Sequence, residues 1–372
     1  MAKKKTTRKT ARGKKPATVG RLRQQIDRLD RQLLELANER AELARQMGEV
    51  KREEGAPIVD WQREDQVLSR IVDRSKGPLS ERAVAGIFRE LVSGSRALQT
   101  TLRVAFLGPL YTYSHQAAMT RFGQDVDFIP VASIGAVFEE VRGGQSDFGL
   151  VPIENSTDGR IADTLDNFAR NPVEICGEVQ LRIHHTLLAT CKRAEVTVVY
   201  SRPQALSQYR NWIGKHLPSA RISEVTSTSR AAELAREEKG AAAVAGAAAA
   251  AHYGLDVLAR NIEDNPSNVT RFSVIGSQCV DRTGDDKTTL MFELAHRAGV
   301  LADAIGVFKR NRVSLTWIES FPMTGREGGY LFFVELEGHR NDTRVRRALA
   351  SLGKKVLRLE VLGSYARMTP EE

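Results

Sequence analysis

The feature that most constrains how this chain can fold is an apolar seam between residues 22 and 50. Steps of three and four residues alternate along it, with one position interrupted; its members are Leu22, Ile26, Leu29, Leu33, Leu36, Leu43, Met47 and Val50. This spacing is typical of helices that pack along their length. One helix cannot bury such a seam alone, so the pattern predicts an all-α unit that dimerises.

A charged residue interrupts the seam. Arg40 occupies a position where the repeat requires an apolar side chain, and Lys51 follows eleven residues later. In a helix these two cations lie within about 20° of the same face. A charge on a packing seam is costly unless an anion meets it. Arg40 is therefore predicted either to pair with a nearby acid, Glu39 or Glu42, or to bind an anionic ligand.

Two further helices, and no strand, are predicted before residue 101. The long helix is expected to end at Gly55-Ala56-Pro57, and Asp60 to begin a second helix over 61–75. Ser80 is expected to cap a third helix over 81–100. We therefore expect a three-helix domain over residues 19–100.

From residue 101 the pattern changes to short apolar runs that alternate with helical segments. The runs cover residues 104–107, 148–153, 183–189, 196–200, 222–225, 241–245 and 272–275, and several end in hydroxyl-rich turns. Such alternation is typical of α/β domains. We expect this domain to extend over residues 101–281.

The run at 148–153 is followed by polar residues and then by a helical pattern from Ile161. The polar residues are Glu154, Asn155, Ser156, Thr157 and Asp158. Ligands of α/β proteins bind at the carboxyl ends of strands, and a helix N-terminus favours an anion. The segment therefore predicts either an anion site or a helix that its Ser and Asp merely cap.

A third domain is predicted over residues 287–366. Its segments are a strand at 288–294, a helix at 299–310, strands at 313–320 and 330–336, a helix at 343–352 and a strand at 356–365. This βαββαβ order is that of the ferredoxin-like fold. No nucleophile or acid–base pattern occurs in it, so we expect a regulatory or assembly role.

Composition excludes several classes of protein. Eight of the basic residues fall in residues 1–15, without an acid, so the net charge of +9 leaves about +1 for the remainder. The pattern predicts a disordered basic tail over 1–18, and the absence of interleaved aromatic residues argues against specific nucleic-acid binding. Three widely spaced cysteines and no membrane-length apolar run predict a cytoplasmic protein without disulfides, zinc or another cofactor.

Several motifs carry a family resemblance over residues 19–366. They are Phe106-Leu107-Gly108-Pro109, Thr112-Tyr113-Ser114-His115-Gln116, Pro152-Ile153-Glu154-Asn155-Ser156, Thr164-Leu165-Asp166, Arg202-Pro203-Gln204-Ala205-Leu206 and Asn268-Val269-Thr270-Arg271-Phe272. With them the chain resembles the bifunctional chorismate mutase–prephenate dehydratases. The resemblance implies a helical mutase domain that forms an intertwined dimer, a two-lobed periplasmic-binding-protein-like dehydratase domain and a ferredoxin-like ACT regulatory domain.

The family's first reaction, the rearrangement of chorismate to prephenate, is pericyclic. It needs a clamp for a dianion and a donor at the ether oxygen, where negative charge grows. The resemblance implies chorismate binding by Arg23, Arg40, Lys51, Asp60, Arg63, Glu64, Ser95 and Gln99. Arg23 would reach into the partner's site, and Lys51 and Gln99 would contact the ether oxygen; with Arg40 these two form the predicted catalytic set.

The second reaction, decarboxylative dehydration of prephenate to phenylpyruvate, is implied for the α/β domain. The resemblance places Thr270 closest to catalysis, and prephenate binding at Ser114, Glu154, Asn155, Ser156, Thr164, Gln204, Thr270, Arg271 and Phe272. A threonine hydroxyl is a poor acid, so we expect Thr270 to donate a hydrogen bond and to orient the substrate. Glu154 is a proton source only if its pKa is raised.

Feedback inhibition by L-phenylalanine is implied at Gly299, Val300, Leu301, Glu319 and Ser320. Two departures from the family stand out: Leu110-Tyr111 replaces Glu-Gly, and Phe321 replaces the Arg of Glu-Ser-Arg-Pro. Two alternatives remain open, a dehydratase with a non-catalytic helical domain and a two-lobed ligand-binding module. The expected partners are the two substrates, with arogenate open as another, and further copies of the chain as a homodimer or larger assembly; no membrane partner is expected.

Overall fold

The computed structural model describes residues 18–277, 281–322 and 330–370, without the side chain of Gln204. The chain divides into two compact units, Met1–Ile58 and Val59–Glu372. Of the predicted basic tail, residues 1–17 lie outside the described residues, as does Cys279. Among the described helices, none is long and apolar enough to cross a membrane.

The described part of the first unit is dominated by one helix, α1 (Val19–Glu53). Thr18 caps it by accepting a hydrogen bond from the Arg21 amide at 3.4 Å. The predicted long helix is therefore confirmed, and it continues unbroken past both Arg40 and Lys51. The eight side chains of the apolar seam are 46% to 64% exposed.

The second unit begins with the two other predicted helices, α2 (Trp61–Arg74) and α3 (Glu81–Ala97). Their caps are the predicted ones, because Asp60 accepts from the Arg63 amide at 2.9 Å and Ser80 from the Ala83 amide at 3.2 Å. Trp61 is buried and packs edge-on against Phe122 and Phe148, with ring centroids 5.3 Å apart in both pairs. The helix α2 is thereby joined to the α/β part of the same unit, and α3 is joined to it by the Ser93 hydroxyl, which donates to the Phe122 carbonyl at 3.0 Å.

The first lobe of the α/β part is built on a mixed sheet. Its strands are β1 (Arg103–Leu107), β2 (Asp127–Val131), β3 (Phe148–Asn155), β4 (Gly159–Arg160), β5 (Glu174–Arg182) and β11 (Val269–Gly276). Their order is β2-β1-β3-β11-β5, with β4 paired to β3, and β11 runs antiparallel to both its neighbours. The helices are α4 (Tyr113–Phe122), α5 (Ile134–Arg142) and α6 (Ala162–Arg170).

The second lobe lies between β5 and β11 in sequence. Its strands are β6 (Thr186–Ala189), β7 (Val198–Ser201), β8 (Arg221–Glu224), β9 (Ala241–Ala245) and β10 (Asp256–Ala259), in the order β10-β6-β9-β7-β8. Its helices are α7 (Pro203–Leu206), α8 (Arg210–His216), α9 (Thr228–Glu237) and α10 (Ala247–Tyr253). The chain therefore leaves the first lobe through β5 and returns to it through β11.

The polar segment after β3 does not begin a helix. Asn155 Oδ1 accepts hydrogen bonds from the amides of Thr157 and Asp158 at 2.9 and 3.0 Å, which closes a turn and directs the chain into the β3–β4 hairpin. The helix α6 starts later, and its N-cap residue, Ile161, makes no side-chain capping bond. The interpretation of this segment as helix caps is therefore wrong.

The C-terminal part forms a four-stranded antiparallel sheet with two helices. Its elements are β12 (Asp286–Leu294), α11 (Val300–Arg310), β13 (Leu315–Pro322), β14 (Tyr330–Glu337), α12 (Thr343–Gly353) and β15 (Arg358–Ala366). The predicted βαββαβ order is confirmed, and the sheet order is β13-β14-β12-β15. The strand β15 approaches β5 so closely that a Cβ on Gly363 would clash with the Ile175 carbonyl oxygen.

Candidate active sites

A cavity of about 560 Å³ opens between the two lobes of the α/β part. The first lobe contributes Ser114, Asn155, Thr270 and Phe272 to its wall, and the second contributes Arg202, Gln208 and Thr228. Four of the predicted prephenate-binding residues are thus brought together, although Ser114 and Thr270 are 156 positions apart in sequence. Strand ends and hydroxyl groups from both lobes meet here, as expected for a ligand cleft in an α/β protein.

Thr270 is held by its partner on the neighbouring strand. It faces Asn155 in the β3–β11 register, and Asn155 Nδ2 donates to Thr270 Oγ1 at 2.9 Å. The Asn155 side chain cannot rotate without losing the two backbone amides that bind its Oδ1. Because Thr270 Oγ1 accepts this bond, its own hydroxyl proton remains available for a group in the cavity.

Two other predicted residues support the strands rather than line the cavity. Ser156 Oγ accepts from the Val269 amide at 2.9 Å and donates to Asn268 Oδ1 at 3.3 Å. Thr164 is fully buried, and its hydroxyl donates to the Pro152 carbonyl at 2.5 Å. Both hydroxyls are used within the protein, and neither residue is part of the cavity wall.

A series of hydrogen-bonded polar side chains at the cavity, which the sequence did not reveal, links Gln208 of the second lobe to residues of the first. Gln208 Oε1 accepts from Asn268 Nδ2 at 2.8 Å and lies 2.7 Å from His185 Nε2, while its Nε2 donates to Asp158 Oδ2 at 2.7 Å. His185 Nε2 must therefore carry the proton, and Nδ1, 2.9 Å from the Tyr113 hydroxyl, is an acceptor. Burial lowers the pKa of His185, so the ring is held neutral.

Glu154 and Arg271 lie outside the cavity wall, because strand alternation turns them to the other face of the sheet from Thr270 and Phe272. Arg271 Nη1 is 2.9 Å from Glu154, and its Nη2 is 3.2 Å from Glu178 and 2.6 Å from Glu335. Burial lowers the pKa of Arg271, but Glu335 and Glu178 raise it by more. The placement gives these two residues structural ion pairs where the sequence predicted substrate contacts.

The wall of the cavity contains two arginines, Arg160 and Arg202. Arg160 Nη1 forms an ion pair with Glu319 at 2.9 Å. The Nε of Arg202 is buried without a hydrogen-bond partner among the described residues. The side chain of Gln204, also predicted to contact substrate, lies outside the described residues.

The residues predicted to bind chorismate fall in both compact units. In the first, Arg23, Arg40 and Lys51 lie on α1, where Lys51 Nζ donates to the Ile58 carbonyl at 2.8 Å. In the second, Asp60 caps α2, the following turn carries Arg63 and Glu64, and α3 carries Ser95, with Gln99 just beyond it.

Three of these side chains in the second unit have defined surroundings. Ser95 Oγ donates to the Leu91 carbonyl at 2.6 Å, and Glu64 forms an ion pair with Arg96 at 2.6 Å. Burial raises the pKa of Glu64, although Arg96 opposes the shift. Gln99 Oε1 is buried and has no hydrogen-bond partner among the described residues.

Comparison with known proteins agrees with this architecture. The family model of type II chorismate mutase matches residues 22–100, and that of prephenate dehydratase matches residues 104–280. A relative from Stutzerimonas stutzeri named bifunctional chorismate mutase/prephenate dehydratase is 43% identical over 82% of this chain and 84% of its own length. A relative of the same name from Aquifex aeolicus is 41% identical over 85% of this chain and 89% of its own length. This chain belongs to the bifunctional chorismate mutase/prephenate dehydratase family.

A solved structure supports the fold of the second part. The prephenate dehydratase from Arthrobacter aurescens, in complex with L-Phe, matches with a TM-score of 0.68 and 34% identity, over 72% of this chain and 90% of that one. The chain therefore has a helical mutase domain followed by a dehydratase domain with a two-lobed, periplasmic-binding-protein-like fold. It has both enzymatic activities and belongs to phenylalanine biosynthesis, so a purely ligand-binding module and a non-catalytic helical domain are both overturned.

The residues predicted to bind phenylalanine lie at two places in the C-terminal sheet and its helices. Gly299 precedes α11 in the left-handed region with φ 81°, and Val300 and Leu301 form the first turn of that helix. Glu319 and Ser320 lie on β13, an edge strand of the sheet.

The departure at Tyr111 has a structural counterpart. Tyr111 adopts φ 65°, a conformation that suits glycine, and its ring stacks on His252 with centroids 3.8 Å apart. This stack links the loop after β1 to α10 of the second lobe.

Among the described residues, no group of three or more His, Cys, Asp or Glu side chains could hold a metal ion.

Proposed function

We propose that the interlobe cavity is the prephenate dehydratase site and that Thr270 is its central catalytic residue. The observation that carries this proposal is the Asn155–Thr270 hydrogen bond on the cavity wall, which leaves the threonine hydroxyl to donate. In the reaction, prephenate loses its ring carboxylate as CO2 and its ring hydroxyl as water, with uptake of one proton. Thr270 would donate a hydrogen bond to the departing hydroxyl, where negative charge grows.

Substrate binding in this cavity is assigned to Ser114, Asn155, Phe272 and Arg202. Arg202 suits a carboxylate because its buried Nε has no hydrogen-bond partner among the described residues, and Phe272 offers an apolar surface to the ring. Gln204 keeps its predicted substrate role on the strength of the sequence motif. Ser156, Thr164, Glu154 and Arg271 act through the strands that carry the site, because their polar groups are engaged within the protein.

For the mutase reaction we keep the predicted set, with Arg40, Lys51 and Gln99 as catalytic residues and Arg23, Asp60, Arg63, Glu64 and Ser95 in binding. We further propose that two chains intertwine through α1. The exposed seam of eight apolar side chains supports a second copy, because fully burying one such side chain contributes about 1.5–3 kcal/mol.

We propose domain boundaries at 19–100, 101–281 and 287–366, the last being an ACT domain that binds L-phenylalanine. The βαββαβ order and the sheet order support this assignment. The complex of the Arthrobacter aurescens enzyme with L-Phe supports the choice of effector. We expect millimolar phenylalanine to inhibit the dehydratase, and a flat rate with no ligand-dependent change in assembly would contradict this. The cytoplasmic location remains a prediction from the cysteine pattern.

The experiment follows phenylpyruvate formation from chorismate and, separately, from supplied prephenate. Arg40→Ala or Lys51→Ala should abolish the conversion of chorismate and leave the dehydration of prephenate nearly intact. Thr270→Ala should lower phenylpyruvate formation from both substrates, with a loss of about 100-fold or more in the dehydratase kcat, while chorismate is still converted to prephenate. The matched variant Thr270→Ser keeps the hydroxyl and should retain more activity. A Thr270→Ala enzyme with the wild-type dehydratase rate would remove the central assignment.

A further inference from the structure

Arg160 stands at the meeting point of the cavity and the C-terminal sheet. It lies on β4, opposite Glu154 in the β3–β4 hairpin, and it is one of the residues that line the cavity. Its position in the turn region between the Glu-Asn-Ser motif and α6 gives no sequence signal of a site residue. With Arg202, it is one of two arginines in the described wall of the cavity.

The partner of Arg160 comes from a different part of the fold. Arg160 Nη1 lies 2.9 Å from Glu319 Oε2, and Glu319 is on β13 in the proposed ACT domain. The two side chains are 42% and 26% exposed. An ion pair through one nitrogen at this exposure is weak, because solvent screens the charges and both side chains lose rotamer freedom. A better-placed carboxylate can therefore replace Glu319.

The charge of the substrate makes such an exchange meaningful. Prephenate carries two carboxylates, and the cavity wall already contains two acids, Asp158 and Asp163. Asp158 is engaged with Gln208 Nε2 at 2.7 Å. A dianion bound beside two aspartates needs a cation for each of its carboxylates, and Arg202 alone supplies one. Arg160 is the second arginine of the wall, but its charge is partly neutralised while Glu319 holds it.

We propose that Arg160 binds a carboxylate of prephenate, and that Glu319 is a competing ligand within the chain that restrains it. The inference rests on the proposed dehydratase site and adds a substrate-binding residue and a restraint from the C-terminal domain. Because substrate and Glu319 compete for one guanidinium, any state of that domain that withdraws Glu319 strengthens prephenate binding, and prephenate binding in turn favours that state.

The test is a double-mutant cycle on the full-length protein, with supplied prephenate and no phenylalanine. Arg160→Ala should raise the KM for prephenate about tenfold or more with little change in kcat, as expected for lost binding to a charged group. Arg160→Lys should recover part of this loss because it keeps the charge without the planar fork. Glu319→Gln should lower KM about two- to fivefold, the range of an exposed ion pair.

The decisive comparison is the double variant Arg160→Ala with Glu319→Gln, which should have the KM of Arg160→Ala alone. Arg142→Ala is the matched control, since this exposed arginine belongs to the same lobe but is outside the cavity wall. An unchanged KM in Arg160→Ala, or a Glu319→Gln effect that persists without Arg160, overturns the inference. If Thr270→Ala keeps the wild-type dehydratase rate, the proposed site fails instead, so the two failures are distinguishable.

Discussion

Replacing Arg271 by methionine tests whether this residue is a structural joint or a substrate contact. Arg271 follows Thr270 on β11, yet its guanidinium faces away from the cavity. It forms ion pairs with Glu335 on β14 of the C-terminal sheet and with Glu178 on the neighbouring strand β5. The side chains of Arg271, Glu178 and Glu335 are 15%, 3% and 1% exposed. Methionine keeps the apolar stem and removes the charge, so the loss of ion pairs dominates the effect.

The expected cost follows from the charges left behind. Without Arg271, Glu178 and Glu335 keep Lys287 as a nearby cation, with its Nζ 3.0 Å from Glu178 and 3.9 Å from Glu335. Removing one partner of a buried pair costs about 3–5 kcal/mol. Burial already raises the pKa of Glu335 against the pull of Arg271 and Lys287. Loss of Arg271 raises it further, and proton uptake by Glu335 brings the cost toward about 3 kcal/mol.

Urea denaturation followed by tryptophan fluorescence and circular dichroism measures this cost. The Arg271 guanidinium lies 5.7 Å from the centre of the Trp317 ring, so fluorescence reports on the affected region. The double variant with Glu335→Gln should be less destabilised than the sum of the single variants, by about 0.5–3 kcal/mol. A change below about 1 kcal/mol, or strict additivity, would refute the structural role. A raised KM for prephenate with unchanged stability would identify Arg271 as a substrate contact.

Two further predictions concern assembly and pH. Leu33→Glu places a charge on the apolar seam, so it should dissociate the proposed dimer in analytical ultracentrifugation and abolish mutase activity. The control Gln32→Glu lies one position off the seam and should change neither. An unaltered dimer in Leu33→Glu would exclude α1 as the interface. Burial lowers the pKa of His185 in the folded protein below the ordinary value of 6.5. As pH falls below 6.5, the unfolded chain therefore binds more protons at His185 than the folded protein does. The stability that the neutral ring contributes is lost as pH falls further, through the folded pKa. The difference in free energy of unfolding between wild type and His185→Gln should therefore shrink from pH 7 to pH 5 in urea titrations, and a difference that grows would contradict the buried neutral ring.

The helices were predictable because their signals are local. Asp60 and Ser80 cap α2 and α3 as expected, since a capping side chain bonds an amide only a few residues away. The strand β9 (Ala241–Ala245) coincides with an uninterrupted apolar run. By contrast, β5 was missed because glutamate, glutamine and arginine interrupt its sequence, even though most of the strand is buried. Its buried Glu178 pairs with Arg271 on β11 and Lys287 on β12, and no local pattern reveals such contacts.

The candidate site was predictable only in part for the same reason. Asn155 and Thr270 were selected from separate motifs, and the pairing of β3 with β11 brings them to one hydrogen bond. His185, Gln208 and Arg160 were missed because their roles depend on contacts with distant segments. Glu154 and Arg271 were predicted as substrate contacts because they adjoin Asn155 and Thr270 in the motifs, but neighbouring residues on a strand point to opposite faces.

The sequence by itself determined that a long helix presents an apolar seam needing a partner, that an α/β part follows, and that a βαββαβ part comes last. These conclusions need only periodicity and order along the chain. The tertiary structure decided which polar residues meet at the cavity and which form ion pairs behind it. That choice depends on the insertion of β11 between β3 and β5, with β11 more than 80 residues beyond β5 in sequence. The strands paired with β11 determine which of its faces lies toward the cavity, and the residues of β11 alone do not.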